Sequence, residues 1–316
     1  MDLLHTIAGT LAYTARAMGN GAGLPITFGT YMTMLAIERI SYVFAEGHIW
    51  DERDAFAGVR AALANTAIQI VLTGGLFLAV YTPIYTYLRV FDVPFVWWGW
   101  VLAFLLNDLA YYTDHRIAHR VGFLWAIHTT HHSSQEMNLV VSNRGTALDL
   151  GGLMSPCFLL LAFAGVPPAM LLAVKFFGNL WGIFNYTRLI KRMGWLDEVL
   201  ATPANHRVHH DTQPQYLDRN YGQTLILWDR MFGSFQREEE EPVFGLVKQM
   251  DSYRTWDIHT WGIRQLARQW RSADRWSDRL RYLLKPPGWD HRGNHQTTAE
   301  IVAEHRPGGP VQVAAR

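Results

Sequence analysis

Residues 24–45, 64–88, 94–112, 148–165 and 167–187 form five mostly apolar windows, each near the roughly 20 residues that a helix needs to cross a hydrocarbon core. Polar pairs break the pattern: Glu38 and Arg39 in the first window, Asn107 and Asp108 in the third, Lys175 and Asn179 in the last. Buried helices of a soluble protein would give a similar pattern. Polar groups within membrane helices, however, face the protein interior or a functional cavity, and these breaks lie close in sequence to clustered histidines. The pattern predicts an all-α, multi-pass helical membrane protein. The "GVPP" at 165–168 predicts a tight reversal, since prolines end a helix and glycine relaxes the turn; windows four and five then form a membrane hairpin. Arg116, Arg120 and Arg144 lie between windows three and four, and Arg188, Lys191 and Arg192 follow window five, whereas the turn at 89–93 offers only Arg89. This bias places the histidine-bearing stretches on the cytoplasmic side. Trp97, Trp98, Trp100 and Trp181 suit interfacial anchors or pocket lining.

The pattern changes near residue 237, where "QREEEEP" and then "RQLARQWRSADRWSDRLRYLL" follow. Two regions result: a membrane-embedded part, 1–236, and a polar C-terminal region, 237–316, with an amphipathic helix on the membrane surface or against the catalytic part and a disordered tail. Of 316 residues, 49% are hydrophobic and only 17% charged, which favours a membrane protein. The net charge of +1 gives no reason to expect a nucleic-acid partner. The only cysteine, Cys157, sits in "CFLLLAF" and reads as packing. The first residues, "MDLLHTIAGTLAYTARAMGN", lack a basic stretch before an apolar core, so membrane entry is expected from internal segments.

Chemistry concentrates in the histidines. Eight of 14 fall in three boxes: His115 and His119 in "HRIAH", His128, His131 and His132 in "HTTHH", and His206, His209 and His210 in "HRVHH". On a helix, positions three or four apart share a face, so each box can aim its rings at one point. A lone histidine is most often a hydrogen-bonded core residue; eight in matched spacings are not. His5, His48, His259, His291, His295 and His305 stand outside the boxes and read as surface or supporting groups. Neutral imidazole binds iron, zinc, copper and nickel, and eight ligands exceed the four of one tetrahedral zinc, so two metals fit better. A hydrolytic zinc site would more often show H-E-x-x-H, which is absent, and no paired Glu-x-x-His motif of the carboxylate-bridged iron bundles occurs.

The boxes, with "DHRIAHR", "HTTHHSSQEMNL", "TPANHRVHH" and "DRNYGQTLILWDRMFGSF", resemble the membrane fatty acid hydroxylase and sterol desaturase superfamily, whose hallmark is H-x3-H, H-x2-H-H and H-x2-H-H. The resemblance covers roughly residues 95–236, and the wording is most like the alkylglycerol monooxygenase and bacterial lipid hydroxylase branch. It implies a non-haem centre of two iron ions in a histidine-rich cap on the cytoplasmic side, dioxygen as oxidant, and hydroxylation of a lipid C–H bond. The implied ligands are His115, His119, His128, His131, His132, His206, His209 and His210. Asp114 orients a ligand imidazole or caps a helix; Glu136 and Asn138 touch the site or lie at the surface. Two departures stand out. Relatives often carry further histidines where this chain has Asn185 and Tyr186, and just before the third box, where it has Asn205; asparagine, tyrosine or water then completes the coordination. Two electrons per turnover come from a separate donor, a ferredoxin, a cytochrome or a reduced pterin. A lipid or sterol desaturase is the alternative reading within the same fold. A non-enzymatic membrane metal-binding or transport protein is another, although a transporter would hold its ligands at mid-membrane depth.

Overall fold

The computed structural model describes residues 23–45, 51–145 and 155–305. His5, His48, the first part of the fourth window and the expected disordered tail lie outside them. The described chain is helical, with no strand and only two isolated bridges, Leu200 with Leu225 and Asp211 with Phe244.

The first window becomes α1, Gly23–Ala45. The second is part of a longer helical run: α2 starts at Glu52 and continues through a π-helical turn, Phe77–Tyr81, into α3, Thr82–Leu88. Its polar start lacks the apolar signal but suits a helix N-terminus, with Glu52 and Asp54 in the first turn complementing the helix dipole. The third window opens α4, Trp97–Arg120, which runs past the apolar stretch and carries the first box on its last turns. After Val121 the chain re-enters a helix, α5, Gly122–His132, which ends on the second box. Then come α6, Pro156–Phe163, and α7, Pro168–Phe184.

The link between α6 and α7 is the tight reversal that "GVPP" predicts. Gly165 has φ +84°, and a Cβ there would lie 1.9 Å from the Phe91 carbonyl oxygen, so only glycine fits. Both helices pack on α4. Their shared core contains Phe77, Tyr81, Ala103, Phe158, Met170 and Leu171. Among the described residues no helix is long and apolar enough to cross a membrane; α4, for instance, carries Asp108, Asp114, Arg116 and Arg120. Large apolar side chains nevertheless face outward: Trp97, Val101 and Leu105 at four-residue intervals on α4, Phe44 on α1 and Phe177 on α7.

The third box lies on the short α8, Pro203–His209, and α9 spans Leu227–Met231. The amphipathic C-terminal stretch forms two helices, α10, Thr255–Ser272, and α11, Trp276–Leu284, and α12 follows at Thr298–Glu304. Helix α10 lies along α5: Thr130 donates to the Ile258 carbonyl at 3.1 Å, and Gly262 sits where a Cβ would lie 2.1 Å from the Ala126 carbonyl oxygen. Leu266, Ala273 and Tyr282 gather around Ala126.

Candidate metal centre

Three helix ends bring the boxes together. His115 and His119 stand one turn apart near the end of α4, His128, His131 and His132 occupy the end of α5, and His206, His209 and His210 the end of α8. All eight rings meet in one cluster, with centroids as close as 4.4 Å for His115–His209 and for His132–His210. Donor atoms of His115, His119, His128, His132 and His209 lie within 4.8 Å of one another, as do those of His131, His132 and His210. The cluster therefore has two adjoining pockets that share His132.

The tautomers are set from outside the cluster. His115 Nδ1 donates to the Tyr221 carbonyl and His209 Nδ1 to the Arg219 carbonyl, both at 2.9 Å. A carbonyl oxygen only accepts, so each ring carries its proton on Nδ1 and turns the lone pair of Nε2 inward. His119 Nδ1 lies 3.4 Å from Asp218 Oδ1. These three partners belong to one loop, in which Asp218 and Asn220 hold left-handed φ of 58° and 53°. Such angles suit the short polar side chains of Asp and Asn. The loop is fixed in turn. Asp229 accepts from the amides of Tyr221 and Gly222, each at 2.8 Å, and Asn220 bridges Asn205 and Gln236. Asp108, a polar break in the third window, accepts from the amides of Thr224 and Leu225 and from Trp228 Nε1.

Among the described residues, Nε2 of His119, His132, His206 and His209 is buried without a hydrogen-bond partner. Leaving such groups unpaired is costly, and four of them aimed into one interior suit a metal. Burial, aided by neighbouring rings, holds His131 and His206 down at about 3. The same causes hold His115, His128, His132, His209 and His210 well below the usual 6.5. These rings are neutral at neutral pH, the state in which imidazole binds metal. Donor chemistry, burial and convergence all fit bound metal ions.

Residues 100–234 match the model of the fatty acid hydroxylase family. This part of the chain belongs to that family. The hydroxylase domain so defined contains all three boxes and the Asp218–Tyr221 loop. The chain is 32% identical over 261 residues to the alkylglycerol monooxygenase of Xenopus tropicalis, an overlap of 80% of this chain and 56% of that protein. For the alkylglycerol monooxygenase of Danio rerio the identity is 32% over 267 residues, 81% of this chain and 58% of the relative. The ornithine lipid hydroxylase of Rhizobium tropici is 30% identical over 141 residues, 43% of this chain and 41% of that protein. The chain thus spans little more than half the length of the two monooxygenases. No solved structure matches it.

The other candidates of the hydroxylase domain bond as follows. Asp114 accepts from the Ser155 hydroxyl, which caps α6 through the Phe158 amide. Glu136 accepts from the Asp51 amide at 3.2 Å, and Asn138 Oδ1 from the Val141 amide at 3.1 Å, closing a turn after the second box. Of the positions where the family resemblance led histidine to be expected, Asn205 donates to the Asp197 and Leu200 carbonyls and Asn185 to the Gln223 carbonyl. Tyr186 alone enters the cluster, its hydroxyl 2.8 Å from His131 Nε2 and 2.9 Å from His210 Nε2. Sequence reasoning missed Asp218, Asn220 and Asp229. The available signal was the "DRN" shortly after the third box, whose residue types tolerate left-handed backbone. A cavity of about 640 Å³ opens on His119, His132 and His209 from the side of α10 to α12, with Trp261, Gln265 and Lys248 in its lining.

Proposed function

We propose that this chain is a membrane-bound non-haem di-iron oxygenase that hydroxylates a C–H bond of a lipid. One oxygen atom of dioxygen enters the C–H bond, and the other leaves as water with two electrons and two protons from a separate donor: a ferredoxin, a cytochrome or a reduced pterin. The observation that carries the reading is the convergence of eight imidazoles from three helix ends, with Nε2 atoms unpaired and buried. Family membership favours it, as do relatives named alkylglycerol monooxygenase and ornithine lipid hydroxylase. Two irons held by the eight histidines would supply the activation of dioxygen; the protein supplies ligand orientation and a buried surround. The Tyr221 and Arg219 carbonyls fix the rings of His115 and His209, so that metal meets lone pairs already aligned, and Asp218 stands beside Nδ1 of His119. We assign Asp114, Glu136 and Asn138 to holding the segments that bear the boxes.

The bilayer placement rests on the five apolar windows and on the outward-facing Trp97, Val101, Leu105 and Phe177, since contiguous exposed apolar surface marks contact with lipid or protein. The positive residues between the windows favour boxes on the cytoplasmic side. A lipid held at the outward apolar faces of α4 and α7 then approaches the cluster from that side, and the cavity beside α10, with its glutamine and lysine, gives protons and water a way to it.

Purified protein reconstituted with ferrous salt should bind two irons per chain, consume dioxygen when given lipid and reductant, and yield a product heavier by one oxygen. A product lighter by two hydrogens would assign the desaturase instead. Bound iron with no oxygen uptake for any lipid would favour a metal-binding or transport protein, and one zinc with no uptake a hydrolase.

A further inference from the structure

The two pockets of the cluster are not equal in donors. Five imidazoles crowd the first, His115, His119, His128, His132 and His209. The second has His131 and His210, with His206 beside them, its ring centroid 4.6 Å from that of His210. It shares His132 with its neighbour, so it is short of ligands of its own. Tyr186 fills the gap. Its ring lies 4.5 Å from that of His206, its side chain is buried, and its hydroxyl faces His131 Nε2 at 2.8 Å and His210 Nε2 at 2.9 Å.

A hydrogen-bonded phenol explains only part of this arrangement. A phenol has one hydrogen, so as a donor it satisfies one of the two nitrogens; the other contact requires that imidazole to carry its proton on Nε2 and donate to the phenol oxygen, which would take that ring out of the ligand set. Neighbouring ligands of a common ion, with bonds of about 2.1 Å at right angles, sit about 3 Å apart. The Tyr186 spacings match that value, as does the 3.1 Å between His115 Nε2 and His128 Nε2 in the first pocket. The tyrosine is also positioned independently of the rings. It follows the end of α7 directly, where its amide donates to the Ile183 carbonyl at 3.0 Å, and it packs with Met137, Val141 and Phe244.

We propose that Tyr186 is an oxygen ligand of the metal in the second pocket, completing a set with His131, His206 and His210. The two ions of the pair then occupy chemically different sites, one all-nitrogen and one nitrogen with phenolate. The inference rests on the di-iron reading above. When the ion binds, the metal–oxygen bond replaces the phenol O–H and the proton leaves to solvent, with no change of oxidation state. A phenolate is a hard anionic donor, so it favours the ferric over the ferrous state of its ion.

The test uses the full-length chain in detergent, loaded with ferrous salt and oxidised in air, with iron content measured beside the visible and resonance Raman spectra. The expected result is a phenolate-to-iron charge-transfer band with enhanced phenolate vibrations, both lost in Tyr186→Phe. In that variant the affinity for the second iron should fall by more than the roughly ten- to hundredfold that loss of an outer hydrogen bond costs. Tyr186→His guards against misfolding: it should restore the second iron without the band. Two irons bound with no such band, or a band unchanged in Tyr186→Phe, would overturn the ligand assignment and leave the di-iron reading standing. Failure of the unaltered chain to bind iron would sink both.

Discussion

At the scale of single residues, the decisive groups are those that turn an imidazole rather than those that only crowd it. Beside the Tyr221 and Arg219 carbonyls, Asp218 acts through a side chain that can be exchanged: its carboxylate stands 3.4 Å from His119 Nδ1 while His119 Nε2 is left unpaired and buried. Asp218→Asn keeps the size, the acceptor oxygen and the tolerance for the left-handed φ of 58°, and removes only the charge. Metal affinity should drop about ten- to hundredfold with little change in the thermal midpoint of the metal-free protein, as measured by metal titration and calorimetry. An equal loss of stability would mean that Asp218 serves the loop and not the ring. The boxes themselves were legible, because metal chemistry restricts residue type and helix geometry restricts spacing. Asp218 and Tyr186 were harder to see. One acts through a loop contact across 99 residues to His119, the difference between positions 218 and 119, and the other by occupying a place where histidine was expected.

At the scale of elements, the question is what holds three short box-bearing ends in register. Helix α8 spans only Pro203–His209, too short to be stable alone, and Arg207 between its histidines anchors it. The buried guanidinium makes a two-pronged pair with Glu238, at 2.6 Å and 2.7 Å, and donates to the Thr187 and Ile190 carbonyls. Glu238→Ala would leave that charge uncompensated, a loss of about 3–5 kcal/mol for a buried pair. Denaturant unfolding should show a loss of that size, with metal content falling alongside. Helix α5 is held differently, by the close approach of α10 at Gly262. In Gly262→Ala the new Cβ would meet the Ala126 carbonyl and the Thr129 hydroxyl; a backbone oxygen cannot swing aside, so overpacking should cost about 1–3 kcal/mol. The α6–α7 reversal was readable from "GVPP" because proline and glycine act locally. The salt bridge was not, since "QREEEEP" reads as four solvated acids and only the fold selects Glu238 for burial. Likewise the polar start of α2 gave no apolar signal, and the helix boundary moved to Glu52.

At the scale of the whole molecule, one property follows from gathering so many imidazoles in a buried cluster: the metal-free fold is set against protons. Seven of the eight rings are held below their ordinary value by burial and by one another, His131 and His206 to about 3. A group whose folded pKa is lowered binds fewer protons in the folded than in the unfolded chain, so stability rises with pH across the gap. The stabilisation is complete above 6.5, the unfolded value, and is lost progressively as pH falls from there toward about 3. Asp211, Asp229 and Glu136 act in the opposite sense, because burial pushes the first two up to about 6 from 3.8 and raises Glu136 as well; they favour the fold as pH falls through their own ranges. Fewer than the seven rings, they blunt the loss without reversing it. The thermal midpoint of metal-free protein should therefore decline steadily below pH 6.5. With iron bound, the midpoint should hold to lower pH, because a coordinated ring cannot take a proton until the metal leaves. A metal-free midpoint that stayed flat down to about pH 5 would show that the rings are solvated as freely as in the unfolded chain, and the buried cluster on which the proposed chemistry depends would have to be abandoned.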